Sequence, residues 1–360
     1  MRSTLLAAAL VAAGLPAALE AAPLVVGHRG ASGRQPENTL AALELAIAQG
    51  ADVVEFDVFL SKDGTPVLMH DDSFARTTDV ETVFPGREND PISTFTDAEI
   101  EQLTVDFVPE RPLPPGSALA PANSATKVPT LQEALDLAAA APRPVGLYIE
   151  LKQYTDALEN ATLQTLVDNG LGDADDDVFV QTFSFSSLSR LAAKQAAFGT
   201  DVALVQLGAA GFGPLDPASP ADLSYFVGVL DAAPPFAPAP GGSGGVPLGV
   251  LAGLFDGLNL TIDDLSALNP LLIPVDDPDF IDAAQALDLF VHAYTFTEGD
   301  PAAAAAQYAR FLNAGVDGLV TDYPEFARAT VDSITPIPLP ASAALLAAGL
   351  AALGALRRRR

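Results

Sequence analysis

Two of the chain's three histidines stand where short apolar runs end, in Val25-Val26-Gly27-His28-Arg29-Gly30 and Val67-Leu68-Met69-His70-Asp71. Imidazole changes charge near neutral pH, so each is a candidate general acid or base. Taken alone, either reads equally well as a structural histidine held by a neighbouring carboxylate. The acids elsewhere in the chain shift that balance. In Val54-Glu55-Phe56-Asp57-Val58 two carboxylates lie two residues apart, which places both on one face of a strand. Buried together they need a counter-charge, and a divalent cation supplies it. Leu147-Tyr148-Ile149-Glu150-Leu151-Lys152 repeats the pattern, with Glu150 able to complete an oxygen-ligated site and Lys152 able to meet an anionic substrate. The plainer readings are solvated acids for the first pair and an ordinary salt bridge for the second. Arg29 adds a further cation, so two cations stand against three acids.

These residues need a scaffold that brings strand ends together. Apolar runs at Leu24–Gly27, Val53–Leu60, Val145–Leu151, Val178–Thr182, Val202–Leu207, Gly257–Leu260, Leu289–Phe296 and Gly318–Thr321 alternate with helical patterns such as Thr39–Gln49 and Leu131–Ala140. Eight strands with intervening helices predict an α/β fold, a (β/α)8 TIM barrel, whose site forms at the C-terminal ends of the strands. On its outer face helices cover the strands, so paired acids within a strand point inward. Ser61-Lys62-Asp63-Gly64 predicts a hairpin turn, which opens an insertion between the second and third strands, about residues 62–129. A Pro/Gly-rich stretch over about 208–247 is too rich in breakers for one regular element and is expected as a surface excursion or lid.

The chain has 360 residues, 49% hydrophobic and 18% charged, enough for one large folded domain. Its 46 acidic and 18 basic residues give a net charge of −28. That field repels a phosphate backbone and excludes nucleic acid as a partner, while concentrating divalent cations. An anionic substrate must therefore find local positive charge in the site. The absence of cysteine excludes thiolate catalysis and Cys-ligated metals.

Both ends read as targeting segments. Residues 1–22 combine a basic start at Arg2, an apolar run from Leu5 to Ala18 and small residues at Ala21 and Ala22, the pattern of a secretory signal peptide. The folded domain is then expected over 23–332. In the segment 333–360, the apolar stretch from Leu339 to Leu356 would span about 27 Å as a helix and is followed by Arg357 to Arg360. Ile337-Pro338-Leu339-Pro340-Ala341 resembles the opening of the Val-Pro-Leu-Pro-Ala variant of PEP-CTERM sorting signals, which implies a sorting protease as a partner. A permanent C-terminal transmembrane anchor is the alternative, with the same topology and membrane contact. Either way the protein is expected to be exported: periplasmic, envelope-associated or secreted.

Further motifs fall in a specific order: Pro36-Glu37-Asn38-Thr39-Leu40, Lys62-Asp63-Gly64-Thr65-Pro66-Val67, Arg76-Thr77-Thr78, Pro129-Thr130-Leu131 and Gly315-Val316-Asp317-Gly318-Leu319-Val320-Thr321-Asp322. With the segments around His28, Glu55, His70 and Glu150, this body resembles the glycerophosphodiester phosphodiesterase family from residue 24 to about 330. The resemblance implies hydrolysis of small glycerophosphodiesters to glycerol 3-phosphate and an alcohol. It implies that His28 and His70 are the acid–base pair, that Arg29 and Lys152 bind the phosphate, and that Glu55, Asp57 and Glu150 hold one divalent cation. It also implies that the insertion helps enclose the alcohol side of the substrate. A three-carboxylate, thiol-free site suits Ca²⁺ or Mg²⁺, and the exported setting favours calcium. Tyr294 stands where the family usually has Trp, which alters one wall of the pocket. Its neighbour His292 reads as structural. Two competing readings are a phospholipase D-like lyase on choline lipids and a catalytically idle, envelope-displayed binding protein.

Overall fold

The computed structural model describes residues 22–106, 108, 126–214, 223–229, 244–263 and 273–334. The two targeting segments read from the sequence lie outside these residues, apart from Ala22, Ser333 and Ile334. Among the described residues no helix is long and apolar enough to cross a membrane.

The strands are β1 (Leu24–Gly27), β2 (Val53–Leu60), β3 (Pro66–Leu68), β4 (Gly146–Leu151), β5 (Val178–Thr182), β6 (Ala203–Pro214), β7 (Leu223–Val229), β8 (Gly244–Pro247), β9 (Gly257–Thr261), β10 (Phe290–Phe296) and β11 (Gly318–Thr321). Eight of them, β1, β2, β4, β5, β6, β9, β10 and β11, pair in parallel, and the β1–β11 and β5–β6 pairings make the ring continuous. This is a closed (β/α)8 TIM barrel. Every expected barrel strand is present, with ends that differ by at most one residue except at β6, which ends seven residues later than expected.

The helices are α1 (Leu40–Ala48), α2 (Val80–Val83), α3 (Asp97–Ile100), α4 (Leu131–Ala139), α5 (Asp156–Asp168), α6 (Phe185–Phe198), α7 (Leu248–Leu251), α8 (Pro278–Gln285), α9 (Pro301–Ala314) and α10 (Pro324–Ile334). Their starts follow from local chemistry. Thr39, Thr155 and Ser184 accept an amide N–H at the first turns of α1, α5 and α6, and Thr130 forms a reciprocal capping box with Glu133 at α4. Asp277-Pro278 and Asp300-Pro301 combine a capping carboxylate with proline at the first helical position, where its missing N–H costs nothing. Gly199 and Gly315 close α6 and α9 in the left-handed conformation that other residues resist.

The insertion begins as the predicted hairpin. β3 returns antiparallel along β2 in the register Val58↔Leu68, Phe59↔Val67 and Leu60↔Pro66. Ser61 Oγ accepts the Asp63 and Thr65 amides, and Gly64 takes the positive φ of the turn. Beyond it, Phe74, Val80, Ile92, Phe95 and Leu103 are fully buried in an apolar cluster separate from the barrel's own. The insertion is thus anchored by its own packing, and His70 sits at the junction of the two cores.

Of the Pro/Gly-rich stretch expected as a surface excursion, residues 208–214, 223–229 and 244–247 are described and lie in strands, and the rest falls outside the described residues. β6 continues past the barrel as an antiparallel partner of β7, which pairs with β8. Ala210, Val227 and Val246 are buried in the main core. Glycine, read as a breaker in a sequence window, also lets strands pack closely when backbone partners are available.

Candidate active site

The seven singled-out residues converge at the C-terminal ends of the barrel strands. His28, Arg29, Glu55, His70, Glu150 and Lys152 line one cavity of about 100 Å³, with Gln181, Phe183, Leu207, Asn259, Tyr294, Thr295 and Val320. Asp57 lies against it, bound to Arg29 and Lys152. A larger groove of about 280 Å³ between α9 and α10 has no titratable lining residue. The chemistry is in the smaller cavity.

The backbone after β1 turns sharply to present this chemistry. Arg29 has φ +52° and Gly30 has φ +81°. A Cβ at Gly30 would come within 2.4 Å of the Ala42 carbonyl carbon, so no other residue fits there without movement. Holding Arg29 in the left-handed region costs about 1–2 kcal/mol. The turn aims the Arg29 amide at Glu55 Oε2, 2.7 Å away. Asn38, also left-handed, bonds Asp57 from both ends of its amide, at 2.8 and 3.0 Å.

Each histidine is oriented by a carboxylate. Nδ1 of His28 donates to Asp322 Oδ1 at 2.7 Å, and Ser32 Oγ donates to the same oxygen at 2.9 Å. Nδ1 of His70 donates to Asp71 Oδ1, also at 2.7 Å. A carboxylate can only accept, so both rings carry their proton on Nδ1 and leave Nε2 as the unprotonated nitrogen. The His70 support runs on: Arg76 bonds Asp71 and Glu37, and Glu37 accepts from Arg29. The hydrogen bond from His70, reinforced by Arg76, holds the Asp71 carboxyl well below the usual range.

Glu55, Asp57 and Glu150 each offer a carboxylate oxygen within 4.8 Å of the others, and all three are buried. Lys152 Nζ bridges two of them, at 2.6 Å from Glu150 and 3.1 Å from Asp57. The plain salt bridge and the acidic cluster are therefore parts of one site. Burial disfavours charge on Asp57, yet Lys152 and Arg29 overcome it and hold that carboxyl far below its ordinary value. Glu55 goes the other way, pushed well up by burial and then by the charges of Asp57 and Glu150. Glu150 is also raised, chiefly by burial. With all three ionised, three carboxylates against two cations would leave one negative charge uncompensated in a buried place. An oxygen-seeking divalent cation fits that donor set and that charge.

The remaining wall is uncharged. Phe183 packs edge-to-face with Tyr294, and Lys152 lies 6.0 Å from the Phe183 ring centre. Below it, His292 is buried among Tyr148, Phe179 and Phe290, with Nδ1 3.3 Å from the Tyr148 hydroxyl. Burial lowers its pKa from 6.5 to about 3, in keeping with the structural role expected from the sequence.

Residues 28–326 match the Glycerophosphoryl diester phosphodiesterase family. The chain belongs to this family. Human glycerophosphoinositol inositolphosphodiesterase GDPD2 is 38% identical over 165 residues, which cover 42% of this chain and 30% of that protein. The glycerophosphodiester phosphodiesterase of Bacillus subtilis is 33% identical over 217 residues, 53% of this chain and 68% of that one. An Oleispira antarctica phosphodiesterase, solved in complex with the product sn-glycerol-3-phosphate, is 25% identical and superposes with a TM-score of 0.56 over 86% of this chain and 97% of that one. The chain spans less than a third of the human relative's length.

Sequence reasoning assigned no role to Asp71, Asp322, Glu37, Asn38 or Arg76, although each stood in a family motif. Their function is to aim other side chains, which spacing does not reveal. Gln181 and Asn259 went unremarked altogether. The available signal was a lone amide within the apolar runs Val178–Thr182 and Gly257–Leu260, at positions that prove to face the barrel interior.

Proposed function

We propose that this chain hydrolyses glycerophosphodiesters to glycerol 3-phosphate and an alcohol, with His28 and His70 as the acid–base pair and a divalent cation held by Glu55, Asp57 and Glu150. The observation that carries the reading is the pair of carboxylate-oriented histidines on one cavity with the buried acidic cluster, Arg29 and Lys152. The product complex of the Oleispira relative supports the substrate class. Arg29 and Lys152 offset the charge of the phosphodiester, which the chain's overall negative field would otherwise repel. One histidine takes the proton of the attacking water or substrate hydroxyl through Nε2, and the other protonates the departing alkoxide; where the hydroxyl attacks, water then opens the cyclic phosphate to glycerol 3-phosphate. Asp322 and Asp71 keep each ring in the required tautomer and stabilise it when doubly protonated. When bound, the cation supplies Lewis-acid stabilisation of charge on the phosphoryl oxygens. Oxygen ligation and an exported setting favour calcium, with magnesium the second choice.

We further propose export, with residues 1–22 as a signal peptide and 333–360 as a sorting or anchoring segment that contacts the membrane and a sorting protease. Glycerophosphocholine, glycerophosphoethanolamine, glycerophosphoglycerol and lysolipids, each assayed with Ca²⁺, Mg²⁺ and chelator, test the activity. Metal-dependent release of glycerol 3-phosphate is the expected result. A cyclic phosphate as the end product from an intact lipid, or no turnover under any condition, would reject it.

A further inference from the structure

Opposite the charged cluster, two buried amides form a chain that ends in the cavity. Gln181, at the inward position beside Glu150 in the β4–β5 register, sends Nε2 toward Glu55 Oε1 at 3.5 Å. Asn259, on β9, donates Nδ2 to Gln181 Oε1 at 2.9 Å. Both side chains line the cavity, and they are 2% and 1% exposed. Asn259 Oδ1 has no hydrogen-bond partner among the described residues.

The hydrogen bonds set the direction of this chain. Gln181 turns its NH₂ toward Glu55 and its carbonyl toward Asn259. Asn259 donates to that carbonyl, which leaves its own oxygen unpaired in a side chain that lines the cavity. The result is a fixed acceptor, buried and unpaired, in a wall otherwise made of Phe183, Leu207 and Tyr294. Leaving such an acceptor unpaired forfeits a hydrogen bond it had in water, and a hydroxyl donor on the bound molecule restores it.

We infer that Asn259, aligned by Gln181, accepts a hydrogen bond from a hydroxyl of the substrate's glycerol and makes that hydroxyl a requirement for efficient turnover. The inference rests on the phosphodiesterase reading and deepens it. It names a specificity-determining residue and restricts the substrate class to diesters with a free hydroxyl on the group held against β9. A site built to pair a hydroxyl rejects an analogue without one far more strongly than an apolar pocket rejects a missing methylene.

The test compares sn-glycero-3-phosphocholine with propyl phosphocholine, which lacks both glycerol hydroxyls, in the wild type, Asn259→Leu and Asn259→Ser. The wild type is expected to prefer the hydroxylated diester by about 100-fold or more in kcat/KM. In either variant that preference falls by about 10-fold or more. Calorimetry on the calcium-loaded proteins supplies a second readout: sn-glycerol 3-phosphate should lose affinity relative to inorganic phosphate. Asn259→Ser carries the comparison if thermal unfolding shows that Asn259→Leu is misfolded. Wild-type enzyme that turns over both diesters equally, or variants that keep the full preference, would overturn the inference alone. Wild-type enzyme that hydrolyses neither diester would overturn the phosphodiesterase reading with it.

Discussion

The two halves of the barrel mouth are built from different chemistry. Around β1, β2 and β4 the cavity presents His28, Arg29, Glu55, Glu150 and Lys152, each charged or able to become so, with His70 beside them from the insertion. Around β5, β6, β9 and β10 it presents Gln181, Phe183, Leu207, Asn259, Tyr294 and Thr295, with no ionised group. The charged half is held by a continuous set of ion pairs from His70 through Asp71, Arg76 and Glu37 to Arg29 and Asp57. The neutral half is held by packing and by one chain of amides. Such a division suits a molecule with an anionic centre and a polar, uncharged arm, because each half offers what one part needs.

That contrast can be broken on the charged side first. Replacing His28 or His70 with Ala should lower kcat about 10³-fold on every diester, whatever its alcohol, with the fold intact by circular dichroism. An effect that varied from one alcohol to another would instead place the histidines among the substrate-reading groups. Glu55→Gln probes the charge imbalance. Without metal the variant should be more stable than the wild type by about 1–3 kcal/mol, because it removes a buried carboxylate beside two others. Added calcium acts the other way: at 100 times its Kd the wild type gains about 2.7 kcal/mol, and the variant should gain almost nothing. Thermal unfolding with chelator and with calcium reads both, and equal calcium shifts in the two proteins would remove Glu55 from the ligand set.

The smallest effect belongs to the neutral half. His292 titrates at about 3 when folded and near its ordinary 6.5 when unfolded. Its folded-state pKa is depressed, so the unfolded chain takes up a proton as pH falls through 6.5 while the native state does not. Stability is lost across the window from 6.5 down to about 3. Between pH 7 and 5 the loss should be about 2 kcal/mol. His292→Gln, which keeps a partner for the Tyr148 hydroxyl, should flatten that part of the pH–stability curve measured by urea unfolding. An unchanged slope would mean that the imidazole is accessible to protons in the native state.

The boundary between the two halves is also the boundary of what could be read from the chain alone. Glu55 and Asp57, two apart in an apolar run, announce a shared face whatever the fold, since strand periodicity is local. Glu150 and Lys152 do the same, and the eight apolar runs with their capping threonines and Asp-Pro helix starts fixed the order of elements. Charge stands out against an apolar background, so the reacting half was legible.

Long-range closure is not local, and it decided the rest. The pairing of β1 with β11 joins strands that no sequence window contains. It sets Asp322 beside His28 across 294 residues, and β6, paired with both β5 and β9, brings Asn259 to Gln181 across 78. The extension of β6 into β7 and β8 depended likewise on backbone partners, which composition does not reveal. An amide in an apolar strand looks unremarkable until its hydrogen-bond partners fix which way it points. The residue types and their spacing supplied the charged groups, and only the closed barrel determined which side chains aim them.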